Sequence, residues 1–319
     1  MKVLITGAAG SVGRHLVRRY LEKGWNVRAL DASPAVSDLR AGLPEDCAGL
    51  LDTVCARVED EEYLGEAVAG MDAVVHLAWS FSDDPRTLLA TDIKGHIDLL
   101  ERMVASGVRR LVYTSSAVVY GAPLRVPIDE THPLKVDLAR KPFYAAMKVA
   151  AENLNLAYAA HHRLEVTNIR FWWAYGDDIG GRHLREMAVA ALRGNPLEVV
   201  AGAGGSFLHL DDLSRIVELA VTTESNRAGT FNVASGFVSW EDVATAIARA
   251  AGSNAGVHAV PEDQWRGSPF MMGRWELSEA LAQEKLGYAP AFTPEEVRSS
   301  VMRAVGRMTS RVAALARAG

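Results

Sequence analysis

"KVLITGAAGSVG", residues 2–13, is the stretch whose reading decides the fold. Lys2–Thr6 is a short run dominated by Val, Leu and Ile, the makeup of a buried strand. The run breaks at Gly7, and Gly7, Gly10 and Gly13 punctuate a tight loop. Beyond it, "GRHLVRRYLEKG" (13–24) carries apolar residues at helical spacing. Working outward, strand and helix go on alternating. "NVRALD" (26–31), "AVVHLA" (73–78), "RLVYTSS" (110–116) and "EVTNIRFW" (165–172) read as buried strands. "TDIKGHIDLLERMVASG" (91–107) and "YAAMKVAAENLNLAYAAHH" (144–162) read as helices. Such alternation predicts an α/β fold, a doubly wound parallel sheet with helices on both faces. It spans residues 1–173, and two later segments near 207–236, "DDLSRIVELAV" and "GTFNVAS", return to it. The rest of 174–319 is irregular and richer in Gly and Pro, which predicts a smaller, interleaved lobe.

The composition is that of a soluble globular protein: 319 residues, 49% hydrophobic, 23% charged, formal net charge −5. Mild acidity gives no reason to expect a nucleic-acid or anionic-membrane partner. No apolar stretch approaches a membrane span, and the N-terminal run is too short for a signal-peptide core. Cys47 and Cys55 are the only cysteines, with no CxxC and no histidine pair at metal-ligand spacing. The expectation is a reduced, cytoplasmic protein that uses no metal.

A loop without Cβ atoms between a strand and a helix lets backbone amides approach a pyrophosphate at the helix N-terminus. Gly7, Gly10, Ser11, Val12 and Gly13 have that placement. The second strand ends at Asp31, near the offset at which a carboxylate accepts the adenosine ribose hydroxyls of a dinucleotide. Asp31 would repel a 2′-phosphate and no arginine follows it directly, so the expected cofactor is NAD rather than NADP.

The glycine spacing, "HLA" (76–78), "SSAVVYG" (115–121), "YAAMK" (144–148), "FLHLDDL" (207–213) and "FNVAS" (231–235) together resemble the extended short-chain dehydrogenase/reductase family of epimerase/dehydratase type. The resemblance implies that Leu77 and Ala78 contact the cofactor and that the protein is a homodimer acting on a small molecule. Three departures from the family pattern stand out. Arg57 occupies the place of an adenine-contacting acid, Asp92 that of a common asparagine, and Met147 that of the serine in "YxxSK".

Tyr144 and Lys148, four residues apart on a helix, project from one face. With Ser116 after the preceding strand they form an expected catalytic triad at the C-terminal sheet edge. A free tyrosine is a poor base at neutral pH. One positive charge at ~4 Å is worth about 4 kcal/mol at an effective dielectric of ~20, roughly 3 pKa units. Lys148 is therefore expected to lower the Tyr144 pKa, and the resemblance implies that it also holds the nicotinamide ribose. Ser116 is expected to orient the substrate oxygen. His161 and His162 read as a solvated helix end. His209, Asp211 and Asp212 read as structural, with Asp211 as a helix cap.

"RFWWAYGDD" (170–178) carries the substrate reading. If Phe171–Trp173 end a strand, Trp172 and Trp173 face opposite ways. Trp172 then belongs to the core, and Trp173 to the substrate wall with Trp79, Phe81 and Phe270. In the family's sugar-nucleotide epimerases the position of Trp173 is an asparagine near the diphosphate. A phosphate-binding arginine of those enzymes is here Gly205, while Arg266 matches a later one. Ala117 and Val118 replace the acidic pair that dehydratases need. Three readings follow. The first is an NAD-dependent oxidoreductase on a secondary alcohol or ketone of a compact, non-nucleotide substrate. The second is a sugar or nucleotide-sugar 4-epimerase with tightly bound NAD. The third, a non-catalytic regulator, requires a broken triad, and this one is intact.

Overall fold

The computed structural model describes residues 1–223 and 229–318. Among the described residues seven strands form one parallel sheet: β1 (Lys2–Thr6), β2 (Asn26–Asp31), β3 (Leu51–Cys55), β4 (Ala73–His76), β5 (Arg110–Thr114), β6 (Glu165–Arg170) and, returning late, β10 (Gly229–Asn232). Their order is β10-β6-β5-β4-β1-β2-β3. The chain winds outward in opposite directions from β1, so a crevice opens beyond the C-terminal ends of β1 and β4, where such folds hold their ligands. The doubly wound sheet expected from the alternation is therefore present. β3 went unread because only its first residue is fully buried, so "LDTVC" lacks the apolar run of its neighbours.

β1 and β4 are apolar because helices cover both faces. Val3, Ile5, Val75 and Val112 pack on one side with Leu16, Val17 and Ile216, while Leu4, Val74 and Leu111 pack on the other with Leu99 and Leu100. The helix Leu210–Thr222 and β10 join the main sheet as expected. Between them and beyond lie β7 (Trp173–Tyr175), β8 (Leu197–Val200), β9 (Gly204–His209), β11 (Gly236–Ser239), β12 (Val257–Val260) and β13 (Arg274–Trp275). β9 pairs with β7, β11 and β13, and β12 pairs with β8. A separate apolar cluster gathers here around Phe207, Trp240 and Val301.

The two tryptophans do not lie along one strand. β6 ends at Arg170 and β7 starts at Trp173 in a different sheet, so Phe171 and Trp172 belong to no strand and the alternation does not run through them. Trp172 and Trp173 are both half-buried, their ring centroids 5.5 Å apart in one aromatic cluster.

Two polar networks fasten this framework. Buried Arg170 at the end of β6 donates to both Glu152 carboxylate oxygens, at 2.9 and 2.5 Å, and to the Tyr120 hydroxyl at 3.1 Å. Tyr120 in turn donates to Asn232 at 2.7 Å. Buried Asp212 accepts from the Ser235 hydroxyl and, at 2.7 Å, from the Ala291 amide. The cap of helix Leu210–Thr222 is His209, whose Nδ1 accepts from the Asp211 amide at 3.2 Å. Asp211 is not the cap: it is the second residue of the first turn and pairs with His15 at 3.1 Å.

Candidate active site

The crevice beyond β1 and β4 is a cleft of about 380 Å³. Gly7, Gly10, Ser11, Val12 and Gly13 floor it, Asp31 and Arg57 stand at one end, and Leu77, Ala78, Trp79 and Phe81 at the other. Gly7 has φ +71°, and a Cβ there would lie 2.7 Å from the Ala78 amide nitrogen. A Cβ on Gly13 would lie 2.3 Å from the Gly7 carbonyl oxygen. Among the described residues no side chain caps the helix Ser11–Glu22, and Ser11, Val12 and Gly13 of its first turn line the cleft. The loop thus fits a pyrophosphate: close backbone approach, free amides, and the positive end of a helix dipole.

Asp31 is held rigidly. Its Oδ2 accepts from the Ala9 amide at 2.9 Å and its Oδ1 from the Ser33 amide at 2.8 Å. These two bonds leave two lone-pair sites for ribose hydroxyls. Arg57 is exposed and bonds Glu59 at 2.6 Å.

At the other end, the helix Pro142–His162 brings Tyr144 and Lys148 under the segment Trp79–Asp84. The Lys148 Nζ donates to the Thr114 carbonyl at 2.8 Å and sits 3.9 Å from the Trp79 ring centroid and 5.8 Å from that of Tyr144. Phe81 stacks on Tyr144 at 5.8 Å and 14°. The segment is pinned at three points: Ser80 to Asp92, the Phe81 carbonyl to Lys141, and Asp83 to the Tyr144 amide. Ser116 is half-buried, and its Oγ accepts from the Val118 amide at 3.2 Å, which leaves its own proton free to donate.

The electrostatics correct the expectation for Tyr144. Its pKa is raised, first by burial and then by the Asp92 carboxylate, rather than lowered by Lys148. Burial pushes Lys148 itself down to about 7, against the pull of Asp92 and Glu152. The physical reason is desolvation: both groups lie under the Trp79–Asp84 segment, and each is driven towards its neutral form.

Trp173, Phe270 and Arg266, like Ser116, Tyr144 and Lys148, are not among the residues that line the cleft. Trp173 and Phe270 belong to the second cluster. Trp172 stacks on Phe270 at 5.6 Å and 5°, and Phe270 stacks on His183 at 5.0 Å and 16°. A Cβ on Gly205 would fall 2.3 Å from the Trp172 ring. On Gly181 it would fall 2.4 Å from the Trp173 ring. The division of one tryptophan to the core and one to the wall does not hold, because both rings are shared by that cluster. The exposed Arg266 donates to the carbonyls of Asp263 and Trp265, at 2.9 and 3.0 Å, in its own turn. Sequence reasoning missed Phe171, which lines the cleft where the chain leaves β6. Its exit from the strand left no periodic signal.

Comparison with known proteins agrees with the geometry. Residues 3–234 match the family model described as NAD dependent epimerase/dehydratase family. A UDP-glucose 4-epimerase of Streptomyces lividans is 28% identical, over 91% of this chain and 92% of that protein. A dTDP-glucose 4,6-dehydratase of Streptomyces griseus is 29% identical, over 91% and 89%. The crystal structure of a Thermus thermophilus UDP-glucose 4-epimerase with NAD superposes with a TM-score of 0.72 at 25% identity, over 96% and 99% of the two chains. The glycine-floored crevice of a doubly wound sheet and the match through β10 lead to one assignment: the chain belongs to the NAD dependent epimerase/dehydratase family, whose members are enzymes.

Proposed function

We propose that the protein is an NAD-dependent oxidoreductase acting at a secondary alcohol or ketone carbon of a compact, non-nucleotide substrate. NAD is held by the loop Gly7–Gly13, by Asp31 at its adenosine ribose, and by Leu77 and Ala78. When bound it supplies the hydride acceptor or, reduced, the donor. Tyr144 handles the proton. Burial holds it as a neutral phenol, so it stands ready to protonate a carbonyl oxygen, and it takes the proton back in the opposite direction. Ser116 donates its free proton to the same oxygen and orients it. Lys148 sits below Trp79 and would hold the nicotinamide ribose, where the positive charge of an oxidised cofactor would favour the Tyr144 phenolate. Trp79 and Phe81 wall the reacting end.

One observation carries the compact-substrate reading: Trp172, stacked on Phe270, fills the space over Gly205. An indole carries one donor and no positive charge, so it does not replace the charge-assisted bonds a diphosphate needs. Ala117 and Val118 offer no acid for water loss, which argues against dehydratase chemistry. A homodimer in the cytoplasm is the setting that goes with this reading, and light scattering checks the dimer.

The second reading is a sugar or nucleotide-sugar 4-epimerase with tightly bound NAD. The near-full-length similarity to the Streptomyces lividans enzyme favours it. Calorimetry with UDP-glucose on the NAD-loaded protein separates the two. Binding in the millimolar range, with NADH formed from a small cyclic alcohol, supports the first. Micromolar binding with no net NADH establishes the second.

A further inference from the structure

Among the described residues three carboxylates line the cleft, Asp31, Glu59 and Asp92, and Asp92 is the one on the segment that follows β4. The cleft runs across the sheet order, with Asp31 and Arg57 beyond β2 and β3 and with His76–Phe81, Thr91, Asp92 and Thr114 beyond β4 and β5. If Asp31 takes the adenosine ribose, the nicotinamide lies at the β4 and β5 end. Asp92 Oδ1 accepts from the Ser80 amide at 2.8 Å and its Oδ2 from the Ser80 hydroxyl. Ser80 follows Trp79, whose ring lies over the Lys148 ammonium. Asp92 is half-buried and within electrostatic reach of Tyr144, Lys148, Glu59 and Arg57.

From this placement we infer that Asp92 sets which oxidation state of the cofactor the protein prefers, binding NAD in favour of NADH. The nicotinamide ring is cationic when oxidised and neutral when reduced, while the rest of the molecule keeps its charge. A carboxylate at the reacting end attracts the ring in one state only. A difference in affinity between the two states needs such a differential interaction. The consequence is an enzyme that exchanges its cofactor, taking up NAD and shedding NADH, rather than one that keeps a single cofactor through a closed cycle. The positive charge of Arg57 is paired with Glu59 at 2.6 Å and so does not cancel this preference.

The inference rests on the cofactor reading above, and its test is calorimetric: dissociation constants of NAD and NADH for wild type, Asp92→Asn and Asp92→Ser. The expected result is a fall of about tenfold in the preference for NAD in both variants, the order of one unit charge acting across ~12 Å at an effective dielectric of ~20. Tenfold corresponds to about 30 mV in the potential of the bound two-electron couple. Asp92→Asn keeps an acceptor for the Ser80 amide, and Ser80→Ala removes a hydroxyl without changing charge. An unchanged NAD to NADH ratio in Asp92→Asn overturns the inference. So does an equal shift in Ser80→Ala, which would assign the effect to the segment's position. If wild type binds neither nucleotide, the cofactor reading itself falls; tight binding with an unchanged ratio sinks Asp92 alone.

Discussion

Tyr144 and Lys148 share one helix face, yet burial drives them from their ordinary pKa values in opposite directions. Two expectations follow at the residue scale. Tyr144→Phe removes the proton carrier but no cofactor contact beyond the hydroxyl, so NAD affinity stays nearly unchanged while turnover falls by about two orders of magnitude. Wild-type turnover in the variant, on a verified substrate, removes Tyr144 from the chemistry. Lys148 gives a stability test. Its pKa is about 7 in the folded protein against 10.5 for the free side chain, so between those values the unfolded chain holds more protons than the native one. Stability therefore rises with pH through that window and the gain is absent below it. From pH ~7 to ~9 the cofactor-free wild type should gain about 2 kcal/mol relative to Lys148→Met, read by urea unfolding at the two pH values. A flat difference shows that Lys148 is already charged in the native state. The spacing of these two residues was legible in "YAAMK"; their desolvation was not, because it comes from Trp79 and Phe81, about sixty positions away.

At the scale of elements, the central strands β1, β4, β5 and β6 were legible because they are buried on both faces, where an unbroken apolar run needs no context. β3 escaped because it is an edge strand, half covered. The end of β6 was placed too late because Phe171 and Trp172 are apolar for another reason: one lines the cleft and the other enters the aromatic cluster. No local pattern separates strand burial from cluster burial at a chain crossing between sheets. The crossing makes its own prediction. Gly205→Ala places a methyl where the Trp172 ring stands and should cost about 1–3 kcal/mol, the usual range for overpacking. In a Trp172→Ala background the added cost should vanish, and a double-mutant cycle by thermal or urea unfolding measures it. Additive losses would mean that the two positions do not meet.

For the whole molecule, the doubly wound arrangement and the place of its crevice were already implied by alternation and one glycine loop, since topology puts ligand sites at the switch point. The composition of the second lobe was not, because β7, β8, β9, β11, β12 and β13 are two to six residues long and pair across large sequence separations. A ligand that grips the crevice stabilises the entire fold. NAD at about 100 times its dissociation constant should add about 2.7 kcal/mol, roughly 4 °C in Tm for a chain of this length. NADP at the same concentration should add much less, because Asp31 meets a phosphate instead of hydroxyls. Equal shifts by the two nucleotides in a thermal scan would reject the role given to Asp31.

The indole resting on Gly205 also constrains how this chain can change. Any residue other than glycine at 205 collides with the ring of Trp172, so a side chain can return there only after the tryptophan has gone. The loss of Trp172 first leaves a gap beside Phe270 that nothing fills. Each order of substitution passes through a weakened intermediate, and the first step by way of position 205 is the more costly where a long side chain is added. Drift from here towards a binder of charged diphosphates is therefore gated by epistasis between two neighbouring sites. Directed evolution aimed at that exchange should recover paired changes at 172 and 205, and single changes at 205 only in variants stabilised elsewhere.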